Sequence, residues 1–423
     1  MTKHGSPING CPLNVLCLYN ATQTFTNTVH DYLTSSKLST NNWYFGDVFE
    51  IQNKPNLIER FDVVALHYSV RIAFLQTPSL VRQALREFRG LKVLFIQDEY
   101  DCVSNSRQEI IEMGFQIVFT CVPNASIDKI YPRELFPGTS FISVLTGYVP
   151  PLGPSGSLPA SQRKITIGYR GRALPIRYGR LAQEKQRIGV AVKDYCETNG
   201  ISHDIECDES ARLYGDLWTR FLSNCRAMLG TESGSNVFDF ECNLWGEIDT
   251  FKAKNPVADD ESLYKAVIAH RELDGLMNQI SPRIFEMILH GTACVLYPGE
   301  YSGILKPYEH YIPLNKDHSN LRSVMDLVMD DSYIDLVSQR AYTSVVESGL
   351  WSYPKFVELI DDALRRHSDL ILNVGTRSSM SAVQDPHIRQ WPTRAASPNV
   401  STGRSRNIGF KDLLGRLVAW WGR

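Results

Sequence analysis

The tightest constraint in this chain is a series of short apolar runs, each stopped by polar residues. Residues 14–19 (NVLCLY) end at Asn20, 61–66 (FDVVAL) at His67, and 91–96 (LKVLFI) at Gln97-Asp98-Glu99-Tyr100. Residues 115–120 (FQIVFT) end at Cys121, and 141–145 lead into Thr146-Gly147-Tyr148-Val149-Pro150. Runs this short and this continuously apolar read as strands buried on both faces. Helical stretches separate them: Phe25, Val29, Tyr32 and Leu33 share one helical face, and 80–88 reads as another helix. Strands alternating with helices imply an α/β fold with a parallel sheet covered on both sides. Ligands of such sheets bind at the carboxyl ends of the strands, where the polar residues stand.

A second series follows the Pro-, Gly- and Ser-rich stretch 150–161 (PPLGPSGSLPAS), which suits a hinge-like linker. Residues 164–169 (KITIGY) run into Arg170-Gly171-Arg172, and 180–196 reads as a helix. A candidate strand at 201–206 comes next, and 226–231 (RAMLGT) ends in Glu232-Ser233-Gly234-Ser235. Residues 243–279 read as a helical insertion and 353–366 as a closing helix. At 423 residues the chain has room for two cores. The expected division is 1–152, 153–370, a basic disordered linker at 371–407, and an amphipathic helix at 408–423.

Composition narrows the class. Apolar content of 43% and charged content of 21% are those of a soluble globular protein. No apolar run reaches the ~18–20 residues that cross a bilayer, and the first residues lack a hydrophobic export segment. The expectation is a cytoplasmic protein with no nucleic-acid partner. Nine cysteines without a CxxC pair read as reduced, buried thiols. Residues 371–423 hold eight Arg and Lys against two acids, so this tail carries +6 and residues 1–370 carry −8. In 408–423 an apolar stripe (Phe410, Leu413, Leu414, Leu417, Val418, Trp421) beside Lys411, Arg416 and Arg423 would suit peripheral contact with the inner face of a membrane. A partner protein or the chain's own body are the other occupants of that stripe.

The pivotal stretch is 280–305, ISPRIFEMILHGTACVLYPGEYSGIL. Ser281 and Pro282 open a helix, Gly291 lies past its end, and a short buried strand runs into a Pro-Gly-Glu-Tyr-Ser-Gly loop. A mid-helix carboxylate can bridge the two hydroxyls of a ribose, and glycine-rich loop amides can approach phosphate oxygens. Phe285-Glu286-Met287-Ile288-Leu289-His290-Gly291-Thr292 resembles the EAMACG-P segment of the group-1 glycosyltransferases. The run through Gly303 and Lys306–Leu314 is similar to their spore-maturation-like branch.

That resemblance implies a GT-B architecture, two Rossmann-like domains facing across a cleft. It also implies transfer of a sugar from a nucleoside diphosphate to a saccharide or lipid-linked cell-envelope acceptor. By resemblance, Arg170 or Arg172 pairs with Lys185 on the diphosphate, where positive charge is the main electrostatic need. Glu286 matches the ribose-binding member of the family's glutamate pair. The position of the other member holds Asn278, and Glu232 is the expected substitute, the insertion accounting for its displacement. Glu300, Tyr301, Ser302 and Gly303 are expected to face the donor's sugar-phosphate.

For the acceptor half, His67, Asp98 and Glu99 are candidate general bases at strand ends, and Tyr68, Tyr100 and Tyr148 a candidate platform. Asp259-Asp260 reads as a helix cap rather than a metal motif, and neither a metal nor a cofactor is expected. Two other functions remain open: a nucleotide-sugar epimerase of the same architecture, and a non-catalytic assembly protein built on it.

Overall fold

The computed structural model describes residues 12–151, 158–369 and 385–396. The expected linker residues 152–157, the tail segments 370–384 and 397–407, and the stripe 408–423 lie outside these.

Two all-parallel sheets carry the molecule. The first has six strands, β1 (Asn14–Tyr19), β2 (Asn42–Asp47), β3 (Val63–Leu66), β4 (Leu91–Ile96), β5 (Ile117–Thr120) and β6 (Ser140–Ser143), in the order β2-β1-β3-β4-β5-β6. The second has five, β7 (Ile165–Arg170), β8 (His203–Glu206), β9 (Cys225–Gly230), β10 (Ala293–Leu296) and β11 (Ile312–Pro313), in the order β11-β10-β9-β7-β8. The apolar runs do what their composition demands: every residue of β3, β4, β5 and β10 is buried. In each sheet the winding reverses once, between β1 and β3 and between β7 and β9. Such reversals leave a crevice at the strands' carboxyl ends. This is the GT-B architecture.

Strand β2 escapes the sequence pattern because NWYFGD is neither continuously apolar nor cleanly alternating. It forms because β1 supplies the full register from Asn14↔Asn42 to Tyr19↔Asp47. The 243–279 insertion is helical in pieces, Leu244–Lys254 and Asp260–Arg271, the latter opened by Asp259 accepting from the Ser262 amide at 2.9 Å. The closing helix Tyr353–Arg366 returns to the first lobe, where Phe356 stacks on Tyr148 and meets Tyr32. That packing buries Tyr148, and Tyr100 is equally buried, so neither forms an open acceptor platform.

Two expectations are overturned. Residues 385–396, placed in a disordered linker by composition, lie as a strap along the first lobe. Phe45 and Arg389 exchange backbone hydrogen bonds at 2.9 and 2.8 Å, and Ile388 enters the core. Trp391 takes the Lys37 ammonium over its ring at 5.4 Å. A few apolar anchors among polar residues suffice when a neighbouring strand offers an unpaired edge. The second correction concerns the thiols: Cys102 and Cys242, 140 residues apart, form a disulfide between the lobes. Sequence spacing holds no trace of it, because the pair meets only where the loop after β4 docks on residues 239–242.

Candidate active site

Both winding reversals open on one cleft of about 380 Å³. The first lobe contributes residues 25–28, just beyond β1, with Arg394 from the strap. The second contributes Arg170-Gly171-Arg172 at the end of β7, Gly230-Thr231 at the end of β9, and the floor helix Pro282–Leu289. A cleft of this size suits a small ligand.

Six cations and one acid line it: Arg170, Arg172, Lys185, Arg212, Arg283, Arg394 and Glu286. Two of the cations are already matched. The Arg170 guanidinium pairs with Asp204 at 2.8 Å, donates to the carbonyls of Ala211, Tyr169 and Asp204, and lies over the Phe221 ring. Arg212 pairs with Glu209 at 2.9 Å. Of the expected Arg170-or-Arg172 pair, Arg170 shapes the strand end with its charge neutralised by Asp204, and Arg172 lies within reach of Arg212, Glu209 and Asp98.

Arg172 and Lys185 are brought together with a cation the sequence reading missed. Arg283 sits one helical turn before Glu286 on the same face, donates to the Arg170 carbonyl and lies over Trp218 at 5.4 Å. Its i, i+3 relation to Glu286 is the signal that could have found it. Burial, with Arg172 and Arg283 close by, pulls the Lys185 ammonium down to about 8. Burial likewise raises Glu286, against the lowering effects of Trp218 and Arg283. Trp218 Nε1 donates to Glu286 Oε2 at 2.9 Å, which fixes the carboxylate in the cleft lining.

Glu232 is buried beside the cleft. Its Oε1 accepts from the Tyr301 amide at 2.8 Å and its Oε2 from the Asn278 side chain at 2.6 Å. The insertion thus brings Asn278 into contact with Glu232. Gly299 is required here, because a Cβ at that position would meet the Glu232 carboxyl carbon at 2.6 Å. The loop after β10 departs from expectation. Tyr301 is wholly buried with its hydroxyl on the Tyr297 carbonyl, and Ser302 ties the Ile280 amide to the Gln279 side chain. Glu300 is exposed, Gly303 makes the turn at φ 74°, and none of the four lines the cleft. The loop braces Glu232 and the floor helix.

Of the three candidate bases, two lie inside the first lobe. His67 is buried against Tyr68 with Nδ1 3.0 Å from Ser69 Oγ, and burial takes its imidazole down to about 3. Glu99 is buried with the Thr120 hydroxyl and the Cys121 amide on Oε1, and desolvation pushes it up to about 8. A neutral carboxyl and a neutral ring so enclosed serve packing, not proton removal. Asp98 differs. It is half-buried, accepts from Tyr100 at 2.7 Å, holds a left-handed backbone (φ 58°), and its charge reaches Lys185 and Arg172. Asp tolerates that conformation better than most residues, and such strain collects at functional sites. Among the described residues, no group of three or more His, Cys, Asp or Glu could hold a metal ion. No described helix is long and apolar enough to cross a membrane.

No family model matches the chain, and no curated protein matches it. Among solved structures, TarM shares 12% identity over 77% of this chain at a TM-score of 0.42, and the chain spans 57% of TarM. The T4 phage BGT, solved with its UDP-glucose substrate, shares 11% over 85% of this chain and 99% of its own, at 0.47. AviGT4, a glycosyltransferase of avilamycin A biosynthesis, shares 12% over 86% and 99%, at 0.39.

Proposed function

We propose that the chain is a glycosyltransferase that moves a sugar from a nucleoside diphosphate to a saccharide or other cell-envelope acceptor. One observation supports this above the rest. Arg172, Lys185, Arg283 and the carboxylate of Glu286 line one cleft where the two sheets' reversals meet. A nucleoside diphosphate presents a diphosphate and a vicinal diol. The three cations take the first through charge-assisted hydrogen bonds, and Glu286 takes the second. As the glycosidic bond breaks, negative charge grows on the leaving diphosphate. Cations already in place stabilise that charge without reorganising.

In this reading Glu232, held by Asn278 and the Tyr301 amide, borders the donor sugar. Asp98, whose charge reaches Lys185 and Arg172, is in the same reading the group that accepts the proton of an attacking hydroxyl. The spore-maturation-like affiliation and the cytoplasmic location belong to the same proposal.

Thermal-shift measurements with uridine, guanosine, cytidine and thymidine diphosphates test it. One of them should stabilise the full chain, as a ligand binding only the folded state must. Glu286→Ala should remove that shift in a folded protein, and the matching nucleotide sugar should be slowly hydrolysed. Stabilisation by no nucleotide would leave the non-catalytic alternative, and epimerisation without transfer would replace the reaction.

A further inference from the structure

The floor helix Pro282–Leu289 does not hold Glu286 alone. Beside it runs the helix Gly215–Asn224, whose Trp218, Phe221 and Leu222 fall on one face at helical spacing. Phe221 and Leu222 are buried, and Trp218 is half-buried and lines the cleft. The carboxyl ends of the two helices are locked together. Ser223 Oγ lies 3.1 Å from His290 Nδ1, and the Thr292 hydroxyl donates to the Leu222 carbonyl at 2.7 Å. Buried Arg163 donates to the carbonyls of Leu222 and His290. One turn back along the two helices stand Trp218 and Glu286, joined by the indole bond at 2.9 Å.

Trp218 serves two groups at once. Its Nε1–H can only donate, so it demands an acceptor, and Glu286 Oε2 is that acceptor. Burial pushes the Glu286 carboxyl toward its neutral form, and the charge of Asp31 adds to that. The Trp218 bond opposes burial most, followed by Arg283. The same ring carries the Arg283 guanidinium at 5.4 Å from its centre, within the range of a cation–π contact. Phe221, with its ring centre 5.8 Å from that of Trp218, carries Arg170 in the same way at 4.3 Å. One side chain thus holds the carboxylate assigned to the donor's diol and a cation assigned to its diphosphate.

We propose that Trp218 is a positioning residue that makes the cleft select ribonucleoside over 2′-deoxyribonucleoside diphosphates. This rests on the donor reading above and commits it to one class of donor. A carboxylate free to rotate can follow a single hydroxyl and keep most of its binding. With one oxygen tied to an indole N–H the carboxylate cannot turn, so a missing 2′-hydroxyl costs a full charge-assisted bond. Sites built to hydrogen-bond a substrate hydroxyl reject the analogue that lacks it for this reason.

The experiment uses the full chain with uridine, guanosine and cytidine diphosphates, each set against its 2′-deoxy counterpart in calorimetric titrations. The base that binds should show a preference for ribose of about ten- to a hundred-fold, the range of one hydrogen bond to a charged group. Inorganic pyrophosphate is the probe for the diphosphate alone. Trp218→Phe keeps a ring beside Arg283 and removes the N–H. It should bring the ribose preference down to a few-fold while pyrophosphate affinity moves little. Trp218→Leu, with neither ring nor N–H, should weaken pyrophosphate as well. An unaltered chain that binds ribose and deoxyribose forms equally overturns the proposal, whatever the variants do. So does a Trp218→Phe variant that weakens every probe together and keeps the preference, because Trp218 would then only pack the helix. Failure of every nucleotide to bind, the deoxy forms included, strikes the donor reading itself.

Discussion

The lobes meet in two charged regions, and these are built on opposite plans. At the junction around Tyr100–Cys102, buried Arg177 pairs with Asp101 at 2.7 Å and approaches Asp239 at 3.7 Å. Arg71 reaches Asp101 at 3.2 Å, and the Cys102–Cys242 bond closes the same seam. Every charge named there has an opposite beside it. In the cleft, burial lowers Lys185, Arg172 and Arg283, and neighbouring cations add to it: Arg172 and Arg283 at Lys185, Arg212 at Arg172, and Arg212 with Arg170 at Arg283, against partial relief from Asp98, Glu209 and Glu286. Matched charge is what holds two lobes at one angle. An excess of one sign of charge in a crevice raises the free energy of the empty protein and is relieved by an anion. The contrast can be broken by experiments that separate stability from binding.

The largest effect belongs to the junction. Arg177→Met leaves Asp101 and Asp239 buried without their best partner, which should cost about 3–5 kcal/mol in denaturant unfolding. A loss below about 1 kcal/mol would show that water, not Arg177, serves those carboxylates. Next comes the disulfide: replacing Cys102 and Cys242 by Ser together should lower stability by about 2–4 kcal/mol and leave nucleotide affinity within a few-fold. Reductant should reproduce the loss in the unaltered chain and add nothing to the double variant.

In the cleft the signs reverse. Arg283→Gln should reduce affinity for the stabilising nucleotide by about 1.5–3 kcal/mol, ten- to a hundred-fold, while the ligand-free chain unfolds within about 1 kcal/mol of the original. A variant that unfolds early yet binds normally would move Arg283 from the ligand to the scaffold, where its bond to the Arg170 carbonyl already gives it a foothold.

How far the residues foretold this contrast follows from the range of the interactions involved. Strand ends are local facts, so runs such as KITIGY and RAMLGT announced where Arg172 and Glu232 would stand, and the helix 282–289 announced Glu286. Matching is non-local. Asp204 neutralises Arg170 across two adjacent strands, and Arg177 reaches Asp101 across 76 residues, so no window on the chain tells which carboxylate an arginine will meet. His67 and Glu99 misled for a related reason. A polar residue after an apolar run faces the crevice only if the turn carries it outward, and here both turn into the core. The strap was hidden because its composition is that of a linker, with Ile388 its buried apolar anchor and Trp391 an exposed ring over Lys37.

The smallest effect sharpens the comparison most, because one group should move stability and binding in opposite directions. Lys185 is held at about 8, below its ordinary 10.5, by burial first and then by Arg172 and Arg283. Between those two values the unfolded chain binds a proton that the folded chain has released, so the lysine's contribution makes ligand-free stability rise as pH climbs from about 8 to 10.5. Anion binding needs the protonated ammonium, so nucleotide affinity should fall across the lower part of that window, and binding near pH 8.5 should take up a proton. Lys185→Met should flatten both trends while leaving a folded protein. A junction arginine, charged throughout, offers neither trend. If stability and affinity instead climb together with pH, Lys185 is not the cation that the empty cleft destabilises.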